Sequence, residues 1–145
     1  MKIHFPNYFM LMIILNIALH YFAPIKQIIT QPYSYIGIFI IIIGLYLYFA
    51  VYFAFRKEKI DWRQEKMPKK ILSYGVFGIS RNPMYLGMFL ILLGEALLLG
   101  SLISFILPII FLIGTNCELP TDEKKLEKQF GRKYCEYKKK IRRWV

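Results

Sequence analysis

Cysteine, histidine and acidic side chains are scarce in this chain, and each scarcity removes a class of function. Two cysteines (Cys117 and Cys135) and two histidines (His4 and His20) occur in 145 residues. Neither cysteine belongs to a Cys-x-x-Cys pair or a Cys/His cluster with ligand spacing, so neither a structural disulfide nor a metal site is indicated. Asp and Glu number nine against twenty Lys and Arg, a formal net charge of +11. No internal repeat or low-complexity tract stands out beyond an isoleucine-rich run after Tyr35. Lys2 precedes an apolar stretch, as in a secretory leader. No small-residue cleavage pattern precedes Pro24, however, so that stretch is expected to be retained.

Apolar surface is what the chain has in abundance. A hydrophobic fraction of 57% and a mean hydropathy of +0.41 are too high for an ordinary soluble domain. A hydrocarbon layer needs roughly 20 mostly apolar residues per helix. The clearest such run, Tyr33 to Phe55, contains no ionisable acid or base. A shorter run from Tyr8 to Phe22 carries His20, and Pro24 and Pro32 bracket the turn back into the bilayer. After Pro83 apolar character returns as far as Cys117, interrupted at Gly100-Ser101 and Pro108, with Glu95 as the one charge inside. That length suits a hairpin of two spans. The expected fold is an all-α polytopic membrane bundle of about four transmembrane helices plus a cytoplasmic C-terminal amphipathic helix. Its spans fall at about 8–23, 33–55, 83–99 and 101–117, joined by a basic loop at 56–82 and followed by a tail at 118–145. All of this forms one membrane domain covering residues 1–145.

The positive charge is concentrated in two places. Arg56, Lys57, Lys59, Arg63, Lys66, Lys69 and Lys70 fill the middle loop, and Lys124 to Arg143 make the tail basic. The other connections hold almost none, which puts loop, tail and both termini on the cytoplasmic side. Charge beside a membrane span is an orientation signal that also meets anionic lipid head groups, so a nucleic-acid partner is not expected. Pro120 and Thr121, with Asp122 and Glu123 behind them, read as the start of a tail helix. Leu126, Phe130, Tyr134 and Tyr137 recur along it as an apolar stripe, suited to lying on the membrane or over the mouth of the bundle. Gly131 within this pattern either ends a helix or permits a close approach.

Chemistry concentrates at residues 81–87, Arg-Asn-Pro-Met-Tyr-Leu-Gly, where the basic loop meets an apolar run. Pro83 fixes its own φ and pushes Asn82 out of helical geometry, so Arg81 and Asn82 can face a polar ligand at a helix start. Such a start favours an anionic group, and Asn82 can both donate and accept hydrogen bonds. Tyr85 and Phe77 offer aromatic surface to a base or a cation.

The stretch "YGVFGISRNPMYLGMFLILLGEALLLGS" followed by "PTDEKKLEKQFGRKYCEYKKKIRRW" is similar to the isoprenylcysteine carboxyl methyltransferase and phospholipid methyltransferase families, over residues 72 to 145. Their shared pattern is Arg-His/Asn-Pro-x-Tyr-x-Gly, a helical hairpin, then paired acids, Leu, Phe-Gly, Tyr and Tyr. The resemblance implies an integral membrane enzyme that binds S-adenosylmethionine on its cytoplasmic side. It would methylate a lipid-like or prenylated acceptor reached from the bilayer. It also implies cofactor-binding roles for Leu72, Phe77, Asn82, Pro83, Met84, Tyr85, Asp122 and Glu123, and catalytic roles for Arg81, Glu118 and Glu123. Asp122 stands where the family's first acid contacts the cofactor and is one methylene shorter. Glu118 stands where the isoprenylcysteine enzymes carry an Arg, which weakens the case for an anionic acceptor.

Two other readings accompany this one. Some nicotinamide-dependent membrane reductases look similar in this half, although a tail lacking the paired acids would suit them better. A non-catalytic membrane protein keeping the fold for interaction is the third. A lone carboxylate in a span suggests function by default, but Glu95 lies close to Gly100-Ser101 and reads more simply as hydrated near the far interface. His4 and His20 read as an interfacial terminus and a span-end residue.

Overall fold

The computed structural model describes residues 5–23, 25–60 and 68–145. His4, Pro24, Arg63 and Lys66 therefore lie outside the described residues. Among the described residues five α-helices follow one another: α1 (Phe5–Phe22), α2 (Ile36–Lys57), α3 (Pro83–Leu99), α4 (Ile106–Phe130) and α5 (Arg132–Lys140). Single 3₁₀ turns, Tyr33–Tyr35 and Leu102–Phe105, lead into α2 and α4, and a third occupies Gly75–Gly78. No strand forms among the described residues.

Among the described residues two segments, Tyr33–Lys57 and Leu102–Phe130, are long and apolar enough to cross a membrane, whereas Tyr8–Phe22 and Pro83–Leu99 are shorter apolar helices. The expected count of four spans is thus carried by length and composition in two of them. Apolar residues run all round α2, and Phe39, Ile42, Tyr46 and Phe53 are exposed. An apolar surface this continuous has no place in water.

α2 makes its most extensive packing against α3. Gly37 and Gly44 on one helix meet Gly94 and Gly87 on the other, and a Cβ on Gly44 would lie 2.7 Å from the Gly87 carbonyl oxygen. Small residues at this seam let the backbones approach where no hydrophobic force drives lipid-embedded helices together. On the other flank of α3, Phe9 and Met12 of α1 join Met88, Leu92 and Phe111 in the buried core.

Asn82 has φ −131° and ψ 56°, outside the helix, and Pro83 occupies the first turn of α3 as expected. Gly100 ends the helix in the left-handed region at φ 67°, its N–H donating to Ala96 O at 2.9 Å. The α1–α2 connection is tied to this turn, because the Ile28 and Ile29 N–H groups both donate to Gly100 O, at 2.8 and 3.1 Å. Polar side chains gather beside it: Asn16 donates to Glu95 Oε2 at 3.3 Å, and His20 bonds Ser101 at 3.0 Å. Glu95 therefore has a protein partner on α1, an arrangement beyond the simple hydration expected of it.

The tail departs from expectation at Pro120. No helix starts there: α4 runs unbroken from Ile106 through Pro120 to Phe130, so residues 118–130 continue the last apolar helix. Proline removes one N–H from the ladder, and the neighbouring turns hold. Thr115 Oγ1 donates to Phe111 O at 2.8 Å and Asn116 Nδ2 to Leu112 O at 2.9 Å. Gly131, at φ 53° and ψ −127°, ends α4, and nothing lies within 4 Å of where its Cβ would stand. Backbone conformation, and no close approach, accounts for that glycine.

Candidate functional site

At the basic end of the bundle, a cavity of about 180 Å³ opens between the end of α2, the 68–82 segment, the start of α3 and the far half of α4. Phe55 and Phe77 stack at 5.7 Å with planes 25° apart and form one wall. Leu126, Phe130, Tyr134 and Tyr137, the stripe anticipated on the tail, line it from the opposite side. Continuous α4 carries the first two, and the break at Gly131 turns α5 back so that Tyr137 Oη donates to Phe77 O at 2.7 Å. Gln129 Nε2 holds the loop to α4 through Pro68 O at 2.7 Å.

Six of the residues anticipated from sequence line this cavity: Leu72, Phe77, Arg81, Asn82, Tyr85 and Asp122. Pro83 and Met84 are buried in the first turn of α3 and do not line it. Glu118 also stands outside the lining, one turn before Asp122 on α4. Glu123, 4% exposed, lies behind the wall. It accepts from Arg143 Nε at 3.1 Å and Nη2 at 3.0 Å, and Arg81 Nη1 stands 3.4 Å away. Asp122 is met by Lys125 Nζ at 2.6 Å, a partly buried pair three residues apart whose lysine still reaches solvent. The carboxylate is thus at the wall with an exchangeable partner.

The unpaired donors are the informative atoms. The Arg81 side chain is 8% exposed, and its Nε and Nη1 have no hydrogen-bond partner. The Tyr85 hydroxyl, on a residue 3% exposed, has none either. A buried donor left unpaired costs about 1–3 kcal/mol. Around them, burial and then the Glu123 charge push the Tyr134 hydroxyl up to about 12. Burial, reinforced by Tyr134, does the same for Tyr137, also to about 12. The hydrogen bonds to Glu123 raise Arg143 above its usual range.

Ser80, Arg143 and Trp144 escaped the sequence reading. Arg81 N–H donates to Arg142 O at 3.1 Å, Ser80 Oγ to Arg143 O at 3.1 Å and Asn82 Nδ2 to Arg143 O at 3.4 Å. Trp144 Nε1 donates to Asn116 Oδ1 at 3.2 Å. Residues 142–144 are thus a strap across the start of α3. Its signal in the sequence was Trp144, an aromatic residue directly after paired arginines.

Residues 33–133, more than half of the chain, match the family described as phospholipid methyltransferase. The chain belongs to that family, and it is a membrane protein of a methyltransferase class. An uncharacterized protein of Haemophilus influenzae is 41% identical over 63 residues, which are 43% of this chain and the whole of that protein.

Proposed function

We propose that this protein transfers a methyl group from S-adenosylmethionine to a lipid-like or prenylated acceptor that reaches the cavity from the bilayer. The carrying observation is the convergence of unpaired buried donors, Arg81 and Tyr85, with Asp122 and an aromatic wall in one cavity. Such donors fit a carboxylate, and Asp122, released from Lys125, fits an ammonium; the amino-acid end of the cofactor carries both. Phe77 and Leu72 offer apolar surface for the base, and an aromatic face near a sulfonium gains on the order of 1 kcal/mol.

The cofactor supplies a methyl group on a sulfonium, which leaves as a neutral thioether. The protein's part is to align acceptor, methyl and sulfur in line and to keep water out. The methyl–sulfur bond breaks as an oxygen–methyl or nitrogen–methyl bond forms. A carboxylate acceptor needs no base. An amine acceptor reacts as the neutral base, so its ammonium form must lose a proton to water before it enters the cavity, because Asp122 is taken by the cofactor's ammonium. Glu123 acts from behind the wall as the buried counter-charge of Arg81 and Arg143. The same reading takes residues 1–145 as one membrane domain of four spans, with the cavity and both termini on the cytoplasmic side. The basic residues flanking the cavity support it.

The test is methyl transfer. Membranes containing the wild type, given methyl-labelled S-adenosylmethionine with ethanolamine phospholipid and prenylcysteine acceptors, should place label in the organic phase, and Arg81→Ala membranes should not. Absence of label above control from folded wild type with every acceptor would contradict the proposal.

A further inference from the structure

Two arginines approach one buried carboxylate unequally. Arg143 takes both oxygens of Glu123, Nε to Oε1 at 3.1 Å and Nη2 to Oε2 at 3.0 Å. This is the fork geometry in which a guanidinium binds a carboxylate most strongly. Arg81, the more deeply buried arginine, has Nη1 3.4 Å from Oε1 and forms no hydrogen bond from Nη1 or Nε. The segment bearing Arg143 also holds the backbone and side chains of residues 80–82 through the Arg142 and Arg143 carbonyls.

We infer that Arg143 is a positioning residue for the cavity: by occupying both oxygens of Glu123, it leaves the Nε and Nη1 donors of Arg81 open to a ligand carboxylate. The inference rests on reading the cavity as a cofactor site. Without Arg143, Glu123 would be a buried carboxylate lacking its two donors; Lys138 Nζ, 3.7 Å from it, is half-exposed and already bonded to Glu127, so Arg81 is the buried cation left beside it. Arg81 would close on Glu123 and its donors would be lost to the ligand. A strap that merely held the tail in place would make a different prediction, because its loss would not depend on the charge of Glu123.

Binding of S-adenosylhomocysteine, which has the same amino-acid end, separates the two. Calorimetry on the full chain in nanodiscs would compare wild type, Arg143→Gln, Arg143→Lys and the double variant Glu123→Gln/Arg143→Gln. Losing a charge-assisted contact weakens binding by about tenfold or more, so Arg143→Gln should bind that much less tightly. The double variant should return to within about twofold of wild type, since no buried charge remains to capture Arg81. Arg143→Lys, with a point charge in place of a fork, should fall between.

Wild-type affinity in Arg143→Gln, or a double variant as weak as Arg143→Gln, would overturn the inference. If Arg143→Gln does not fold, the double variant decides alone: near-wild-type affinity supports the inference and a tenfold loss overturns it. If the double variant does not fold either, Arg143→Lys decides, by a loss or by none. A folded wild type that binds no S-adenosylhomocysteine would remove the cofactor reading itself, a result distinct from any difference among variants.

Discussion

Gly44 and Gly87 face one another across α2 and α3 so closely that a Cβ on either would lie 2.7 or 2.8 Å from the other's carbonyl oxygen. Alanine gains about 1 kcal/mol of helix propensity over glycine. Here the obstructing atom is backbone and cannot step aside, so the helices must separate, at about 1–3 kcal/mol. Gly44→Ala and Gly87→Ala should each lower the unfolding midpoint in detergent. An unchanged or higher midpoint would show that the seam is looser than described.

Gly131 makes the opposite case, with open space but a backbone at φ 53° and ψ −127°. Conformations of this kind cost side-chain-bearing residues about 1–3 kcal/mol. Asparagine, which tolerates the left-handed helical region, gains little because ψ lies far from that region. Gly131→Ala and Gly131→Asn should both speed hydrogen exchange in α5 while leaving the α2–α3 seam protected. Equal protection of α5 in variant and wild type would refute the strain argument.

Other parts of the molecule differ in how far they could be read from sequence. Local signals were sufficient for α2, whose apolar run admits nothing else, and for the start of α3, where Pro83 dictates the geometry of Asn82. Pro120 with Asp122 and Glu123 carries the same local signal as a helix start, but the preceding apolar turns carry α4 through it. Leu72, Phe77, Arg81, Asn82, Tyr85 and Asp122 were legible as a group, and the cavity gathers them. The strap was not, because its bonds join residues about sixty positions apart and depend on the turn at Gly131.

The Tyr134 hydroxyl gives a pH dependence. Its folded pKa is about 12, against an ordinary value of 10.0, because burial and the Glu123 charge oppose ionisation. The sign follows from linkage: between these values the unfolded chain has lost the proton and the folded chain keeps it, so stability falls as pH rises. The contribution is complete below about pH 10 and is lost towards about pH 12. Tyr134→Phe should flatten that alkaline decline, leaving the part due to Tyr137, also at about 12. An identical decline in wild type and Tyr134→Phe, followed by thermal midpoint against pH, would contradict this.

Topology is tested by Cys135, which is exposed on α5 beside the cavity. In a Cys117→Ser background, a membrane-impermeant maleimide should label Cys135 in inverted vesicles and spare it in right-side-out ones. Labelling from the outside would reverse the assignment of the basic end.

The most direct measurement is calorimetric titration of S-adenosylmethionine into the purified wild type and the Arg81→Ala and Tyr85→Phe variants. The account predicts saturable binding at one site, lost on removing Arg81 and weakened about tenfold on removing the Tyr85 hydroxyl. A folded wild type that does not bind, or an Arg81→Ala variant that binds undiminished, would contradict it.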